Sequence, residues 1–175
     1  MSLSQTFDSR KFRHVLGHYP TGVCVVTAHD DDGLPVGMTV GSFTSVSLHP
    51  PLVAFFPDKK STSWPRIASV GKFCVNVLGD SQHDVCRVFA SSGGNKFAEV
   101  RHRTSVNGSP ILDGVLAWID CALYATFDAG DHVIALGEVK GLEVESPGGP
   151  LLFFQGSYGE FARMGQPGHG GPDRG

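Results

Sequence analysis

Three polar segments carry the side chains whose types and spacing could support chemistry. The first, GMTVGSFTSVSLHPP at 37–51, places the hydroxyls of Thr39, Ser42 and Ser45 among small residues and next to apolar runs. Hydroxyl and backbone N–H groups in such a segment could contact the edge of a planar heterocycle that lies against the backbone. A Ser/Thr-rich edge strand has the same composition. The residues alone leave both interpretations open.

The second segment, DKKSTSWPRI at 58–67, combines Lys60 with the hydroxyls of Ser61 and Ser63 where a helix is predicted to begin. Free backbone N–H groups and the helix dipole favour an anion such as a phosphate at that place. An ordinary helix cap beside surface lysines gives the same pattern. The nearby glycine loop SSGGNKF at 91–97 offers Lys96 as a further phosphate contact.

The third segment, AGDHVIALGEV at 129–139, contains a Gly-Asp-His turn between two predicted strands. The turn brings the carboxylate of Asp131 and the imidazole of His132 together at the end of a hairpin. Asp and Gly are also common in hairpin turns that have no further role. A binding role and a simple polar turn therefore both remain open.

The elements that must position these segments are mostly strands. Alternating or β-branched apolar runs predict strands at 22–29, 34–40, 43–56, 72–79, 117–127 and 132–144. Helical spacing predicts three helices, at 9–19, 61–69 and 81–90 with Ser81 as the cap of the third. Short turns between strands, without an alternating strand–helix rhythm, favour an antiparallel barrel or sandwich. The fold class is therefore mainly β with a few helices.

Length and charge limit the function classes. The 175 residues predict one domain at 1–164, followed by a Gly/Pro-rich tail at 165–175 that we expect to be disordered. Fourteen basic and seventeen acidic residues give a formal net charge of −3. The sequence therefore lacks the basic excess of proteins that bind nucleic acid. It also lacks an apolar run long enough to cross a bilayer, so we expect a cytoplasmic protein without a membrane segment.

The sequence lacks the common motifs of hydrolytic and metal-dependent enzymes. It has no G-x-S-x-G, no H-E-x-x-H and no Walker loop. Its four cysteines are far apart in sequence, and three of them lie in apolar runs, which predicts free buried thiols. His14 and His18 have a spacing that metal ligands use, but they lie opposite the apolar stripe of the first predicted helix. We therefore expect no metal site.

In order along the chain, seven stretches resemble the flavin reductase family, whose fold is an antiparallel Greek-key split β-barrel that binds FMN. They are FRHVLGHYPTGVCVVTA, GMTVGSFTSVSLHPPLVAFF, KKSTSWPRI, FCVNVLGDSQHDVCRVFA, KFAEV, GDHVIALGEV and LLFFQGSYGEF, within residues 10–162. The resemblance implies an NAD(P)H:flavin oxidoreductase that uses FMN or FAD with NADH, or with NADPH. It also implies a homodimer that supplies reduced flavin to a separate monooxygenase.

The resemblance assigns most of the polar residues to the flavin. The isoalloxazine edge would contact Thr39, Val40, Ser42 and Ser45. The residues expected near the ribityl phosphate and the flavin tail are Lys60, Ser61, Ser63, Asn76 and Lys96.

The remaining residues would serve the nicotinamide side of the site. Asp131 and His132 would face the nicotinamide nucleotide, and Tyr158 would close over the site. Hydride passes between the two cofactors themselves. His132, the candidate catalytic residue, is therefore expected to position the nucleotide rather than to transfer a proton.

Two alternatives keep a flavin site but change the function. One is an FMN protein similar to pyridoxamine-phosphate oxidases, which lack the Gly-Asp-His turn and the 37–47 strand as they stand here. The other is a flavin-binding electron carrier without nicotinamide turnover. The second gains support from Gly156-Ser157-Tyr158, where many members of the family carry an arginine next to the tyrosine. That difference leaves the choice between NADH and NADPH open.

Overall fold

A computed structural model describes residues 8–164, so the tail predicted at 165–175 lies outside the described residues. Within them the fold is mainly β with three α-helices, as the sequence predicts. The helices are α1 (Ser9–Leu16), α2 (Trp64–Val70) and α3 (His83–Ala90). The strands are β1 (Thr21–Gly22), β2 (Cys24–His29), β3 (Pro35–Val40), β4 (Thr44–Leu48), β5 (Pro51–Phe55), β6 (Lys72–Val77), β7 (His102–Thr104), β8 (Pro110–Leu112), β9 (Ala117–Ala129), β10 (His132–Val144), β11 (Leu152–Phe154) and β12 (Ser157–Gly159).

The main sheet has seven strands in the order β3-β2-β6-β9-β10-β5-β4, and all neighbouring pairs are antiparallel. Its two edge strands, β3 and β4, follow each other in sequence with only three residues between them. Side chains from β3, at one edge, and from β5, next to the other edge strand, pack into one apolar cluster. The sheet therefore curls so that its two ends approach each other. Two smaller sheets, β1-β11-β12 and β7-β8, complete the fold.

Two apolar clusters lie on opposite faces of this sheet because successive side chains of a strand point to opposite sides. The first cluster includes Val26, Phe55 and Phe73 inside the curled sheet. The second includes Val25 and Phe89 and lies between the sheet and α3. All four cysteines are free and buried, which confirms the prediction for the thiols.

Some predicted element boundaries were wrong. Helix α1 ends at Leu16 rather than at residue 19, and α3 begins at His83 after a 3₁₀ turn at Asp80–Gln82. Ser81 is therefore inside that turn and does not cap α3. Strict alternation in the run at 117–127 predicts that Phe127 shares one apolar face with Ile119 and Cys121, but Phe127 is 54% exposed. Two register shifts in the long β9–β10 hairpin interrupt its pairing, and regular alternation does not extend through such irregularities.

No helix among residues 8–164 combines the length and the apolar character that crossing a bilayer requires.

Candidate functional site

The loop at 57–61 and the Gly-Asp-His turn, which are far apart in sequence, lie side by side. Asp58 forms an isolated antiparallel bridge with His132. The Lys59 N–H donates to the Asp131 carbonyl at 3.0 Å, and the Val133 N–H donates to the Pro57 carbonyl at 3.0 Å. Two of the three polar segments found in the sequence therefore form one continuous surface.

The side chains of the turn make a local pair. His132 Nδ1 lies 2.7 Å from Asp131 Oδ1, and both side chains are accessible to solvent. This hydrogen bond and the neighbouring charge hold the pKa of Asp131 below its usual value. The carboxylate fixes the orientation of the imidazole, which leaves Nε2 as its free ring nitrogen within this pair.

A cavity of about 260 Å³, here called the Thr39 cavity, opens between β3, the loop at 60–63 and the end of α3. Its wall contains five of the residues singled out in the sequence, namely Thr39, Lys60, Ser61, Ser63 and Lys96. Sequence reasoning missed the remaining wall residues, which are Met38, Thr62, Phe89, Ala90, Ser91 and Ser92. The serines at 91 and 92 belong to the glycine loop, in which only Lys96 had been considered.

The cation of Lys96 is held in place by backbone carbonyls. Its Nζ donates to the Phe89 carbonyl at 3.0 Å and to the Gly37 carbonyl at 3.4 Å. Partial burial lowers the pKa of this lysine, because removing an ammonium group from water disfavours its charged form. A positive charge fixed in this way is suited to an anionic ligand.

The hydroxyls of Ser61 and Ser63 line the same cavity wall as this cation, but they are not arranged as the helix caps that the sequence allows. The Ser63 Oγ does not cap α2 but donates to the Gly37 carbonyl at 3.2 Å, while the Ser61 Oγ accepts from the Trp64 N–H at 3.2 Å. Gly37 itself is required by packing, since a Cβ there would lie 2.6 Å from a ring carbon of Phe89. Because α2 has only seven residues, we assign anion affinity to Lys96 and the hydroxyls rather than to a helix dipole.

A third part of the site connects Thr39 to Tyr158 through α3. The Thr39 Oγ1 donates to the Cys86 carbonyl at 3.1 Å, and the Cys86 Sγ donates to the Tyr158 Oη at 3.2 Å. The tyrosine ring also packs against His83, with ring centroids 4.5 Å apart. The hydrogen bond with Cys86 and partial burial raise the pKa of Tyr158 to about 12, so this phenol remains protonated at neutral pH.

Residues 16–162 match the family described as the flavin reductase like domain. The chain belongs to this family. A flavin reductase from Pseudomonas putida is 61% identical over 157 residues, which cover 90% of this chain and 92% of that protein. The reductase subunit HsaB of a flavin-dependent monooxygenase from Rhodococcus jostii is 47% identical over 155 residues, covering 89% and 79% of the two chains. The family resemblance predicted from the sequence is confirmed.

Solved structures give the same result. Nitrilotriacetate monooxygenase component B from Mycobacterium thermoresistibile superposes with a TM-score of 0.86 at 43% identity, covering 95% of this chain and 92% of the other. The NADH:FAD oxidoreductase SgcE6 of Streptomyces globisporus, in complex with NAD and FAD fragments, has a TM-score of 0.85 at 36% identity, covering 91% and 96%. The fold of this flavin reductase-like chain is therefore shared with reductase components of known structure.

Three residues expected at the flavin edge lie outside the wall of the Thr39 cavity. Val40 is buried, and its side chain packs in the first apolar cluster, so only its backbone is available to a ligand. The Ser42 Oγ accepts from the Phe56 N–H at 2.9 Å, and Ser45 is exposed on β4. Ser42 lies in the connection between β3 and β4, and Ser45 lies on β4, so both come after Thr39 along the chain.

The structure does not place Asn76 at this site. Its side chain is fully buried, and its Oδ1 accepts from the Leu112 N–H at 2.8 Å. Its Nδ2 donates to the Val25 carbonyl at 3.2 Å and to the Thr27 Oγ1 at 3.0 Å. The amide therefore joins β2, β6 and β8 inside the protein, and Asn76 is not part of the wall of the Thr39 cavity.

The donor set fits a flavin phosphate. The Thr39 cavity combines a partly buried ammonium group with the hydroxyls of Ser61 and Ser63, and hydrogen bonds between charged partners are the strong ones. No group of three or more His, Cys, Asp or Glu side chains among residues 8–164 is arranged to hold a metal ion.

Proposed function

We propose that this chain is an NAD(P)H-dependent flavin reductase whose flavin binds in the Thr39 cavity and whose nicotinamide nucleotide approaches from the Asp131–His132 turn. The observation that carries the proposal is the junction of three polar segments described above, within a chain of the flavin reductase-like family. Hydride transfer from a nicotinamide to a flavin is chemistry that the two cofactors supply. The protein has to bind both and align them.

On the flavin side, Lys96, Ser61 and Ser63 would hold the phosphate, with Lys60 adding positive charge at the exposed edge of the cavity. Partial burial of Lys96 strengthens its attraction to an anion, because the local dielectric is lower than that of water. Thr39 and the backbone of Val40 would follow the edge of the ring system, and Ser42 and Ser45 would continue that wall.

On the nicotinamide side, His132 would position the nucleotide through its free ring nitrogen. Asp131 orients the imidazole through the 2.7 Å contact with Nδ1. Neither residue is assigned a proton-transfer step. Tyr158 would cover the site, held by Cys86 and His83.

We also propose that the sheet forms the split barrel expected from the resemblance. The main sheet has free edges at β3 and β4, and its two ends share one apolar cluster. A sheet that curls onto itself without hydrogen bonds between its edge strands is an open barrel. The opening between these strands is next to the segment that carries Thr39, Ser42 and Ser45.

A homodimer would cover apolar side chains that a single chain leaves in water. Leu48, Leu142 and Val144 are 83%, 62% and 75% exposed. Helix α1, which has an apolar stripe, contains no buried residue among its eight. Large exposed apolar surfaces mark interfaces in soluble proteins. Sedimentation velocity should give a dimer, and Leu142→Asp should shift it towards the monomer.

The biological partner would be a separate monooxygenase in the cytoplasm that consumes the reduced flavin. The names of the relatives support this role, since one is a reductase subunit of a flavin-dependent monooxygenase. Another relative is the reductase component of a flavin-dependent trigonelline monooxygenase from Acinetobacter baylyi, 39% identical over 149 residues, which cover 85% of this chain and 48% of that protein.

Steady-state oxidation of NADH and NADPH by the purified protein, with FMN, FAD or no added flavin, tests the proposal. We expect oxidation that depends on added flavin, with NADH as the better donor. Flavin binding without oxidation of either nucleotide would contradict a reductase and would instead indicate an electron carrier. It would also remove His132 from the functional residues.

A further inference from the structure

A cavity away from the proposed flavin site lies between α1 and the turn that joins β11 to β12. The Thr39 cavity and a larger one of about 510 Å³ beside Arg66 share Lys96 in their walls, so both belong to the proposed flavin site. The separate cavity, here called the α1 cavity, has a volume of about 580 Å³. The proposed reaction uses none of its wall residues, which are Arg13, His14, Gly17, His18, Gln155 and Gly156.

The α1 cavity faces the polar side of the helix. The Gln155 N–H donates to the Gly17 carbonyl at 2.9 Å, which ties the β11–β12 turn to the end of α1. The apolar stripe of α1, which contains Val15 and Leu16, lies on the opposite side and is half-exposed. A dimer contact that covers this stripe would therefore leave the α1 cavity open.

The two imidazoles in this wall have the separation of a chelating pair. His14 and His18 are four residues apart, so their side chains lie one above the other on the same side of the chain. Their ring centroids are 4.9 Å apart. Zn–N bonds of about 2.0–2.1 Å, at N–Zn–N angles of about 90–110°, place two coordinating imidazole centroids about 4.5–5.2 Å apart. The observed separation therefore fits one metal ion bound by both rings.

The hydrogen bonding of the pair leaves a nitrogen of each ring for a metal. His18 Nδ1 lies 2.8 Å from the His14 carbonyl oxygen. Because a carbonyl only accepts, Nδ1 donates, and Nε2 of the neutral ring keeps its lone pair. Metal-binding histidines commonly donate their other ring nitrogen to a backbone carbonyl in this way. Within residues 8–164 the His14 ring forms no hydrogen bond, and both side chains are exposed.

We propose that His14 and His18 bind a divalent transition-metal ion of the class that prefers imidazole, namely Zn²⁺, Ni²⁺ or Cu²⁺, with water as the remaining ligands. The sequence predicted no metal site because the pair lies opposite the apolar stripe, yet that position keeps both rings accessible. The negative end of the α1 dipole also favours a cation here. Arg13 opposes it, so the site should bind more weakly than a closed zinc site with four protein ligands.

Isothermal titration calorimetry with Zn²⁺, without flavin or nucleotide, tests the site. Loss of even a supporting group weakens metal sites about tenfold or more, so His14→Ala and His18→Ala should each raise the Kd for Zn²⁺ by at least that factor. His49→Ala is the matched control, because His49 is exposed and lies outside the α1 cavity. No binding of Zn²⁺ by the wild type, or the same Kd in all four proteins, would overturn the inference.

Arg13→Gln should change the affinity in the opposite direction. Removal of the positive charge from the cavity wall should lower the Kd for Zn²⁺ several-fold. Arg101→Gln is the control for net charge, because Arg101 is an exposed arginine that lines none of the three cavities. An equal decrease in the two variants would place the ion outside the α1 cavity and contradict the proposal.

Hydrogen exchange locates the bound ion on the chain. A metal held by both histidines binds only the folded helix, so Zn²⁺ should slow exchange of the α1 amides in the wild type and not in His18→Ala. Mg²⁺, which prefers oxygen ligands, should have no such effect. Protection of α1 by inorganic phosphate in place of Zn²⁺ would assign the cavity to anions and overturn the inference.

Discussion

Asn76 and Lys96 both donate to backbone carbonyls, but only the Lys96 side chain faces open cavities. In both places a nitrogen donor binds backbone carbonyls from neighbouring elements. The Asn76 side chain is completely buried, and its amide oxygen and nitrogen both form hydrogen bonds. An ammonium group has three donors, and within residues 8–164 Lys96 uses two of them while it faces two cavities. A polar side chain is available to a ligand where it keeps a free donor or acceptor and faces a cavity. Residue type alone does not show this.

The largest effect should come from Asn76→Ala. The substitution leaves the Leu112 N–H and nearby carbonyls without partners in the interior, and the free energy of unfolding should fall by about 3 kcal/mol. Urea denaturation measures this loss. Asn95→Ala is the control, because the Asn95 side chain is exposed and its Oδ1 makes a single hydrogen bond, accepted from the Phe97 N–H. If Asn76→Ala is as stable as the wild type and its KM for flavin is raised, Asn76 acts in flavin binding rather than in stability.

Lys96→Met should weaken flavin binding and leave the fold largely intact. The substitution keeps most of the apolar stem but removes the charge. A hydrogen bond to a charged group contributes about 1.5–3 kcal/mol, so the Kd for flavin should rise by roughly 10- to 100-fold. The control is Lys140→Met, which removes a lysine paired with Glu138 on the surface. If both variants bind flavin equally well, Lys96 is not a phosphate ligand.

His132→Ala should have a smaller effect that is confined to the nicotinamide nucleotide. Loss of one hydrogen bond of about 1 kcal/mol raises the KM for NADH by roughly fivefold, with kcat nearly unchanged. His14→Ala, on the exposed helix α1, controls for the loss of an imidazole. A large fall in kcat at unchanged KM would show a role in the reaction itself rather than in positioning.

Asp120→Asn should change mainly the pH dependence of stability. Burial raises the pKa of Asp120, so the fold favours its protonated form. The stability contributed by this carboxyl is therefore full below its ordinary pKa and is lost as the pH rises through the raised value.

Because asparagine is neutral at every pH, the variant should gain stability relative to the wild type as the pH rises above the ordinary aspartate pKa of about 4. Urea unfolding at several pH values provides the measurement. Parallel pH profiles for the two proteins would show that Asp120 does not titrate differently in the fold.

Much of the fold could be predicted from local pattern. Most strands and all three helices were placed to within a few residues, because apolar periodicity and Gly or Pro at the ends define such elements. The prediction missed β7, β8, β11 and β12, whose three residues each are too few for a periodic signal. It also missed the exposure of Phe127, which follows from the irregular pairing of β9 with β10.

The candidate site was predicted less completely. Lys96, Ser61 and Ser63 were identified from charge, hydroxyls and a glycine loop, and the structure brings them together. Asn76 was assigned to the flavin, yet its amide is buried and engaged in the interior. No sequence motif pointed to Arg66. Its position beside Asp30, in the same cavity wall as Lys96, depends on how α2 packs against the β2–β3 turn.

The sequence by itself determined the family, the mainly β fold and the polar segments that form the candidate site, because these depend on local residue patterns and on their order along the chain. Only the tertiary structure decided which polar groups are saturated and which face open space. It joined the 57–61 loop to the turn at 130–132 and placed two cavities on either side of Lys96. Such features arise from contacts between residues that are distant in sequence, and a local pattern does not record them.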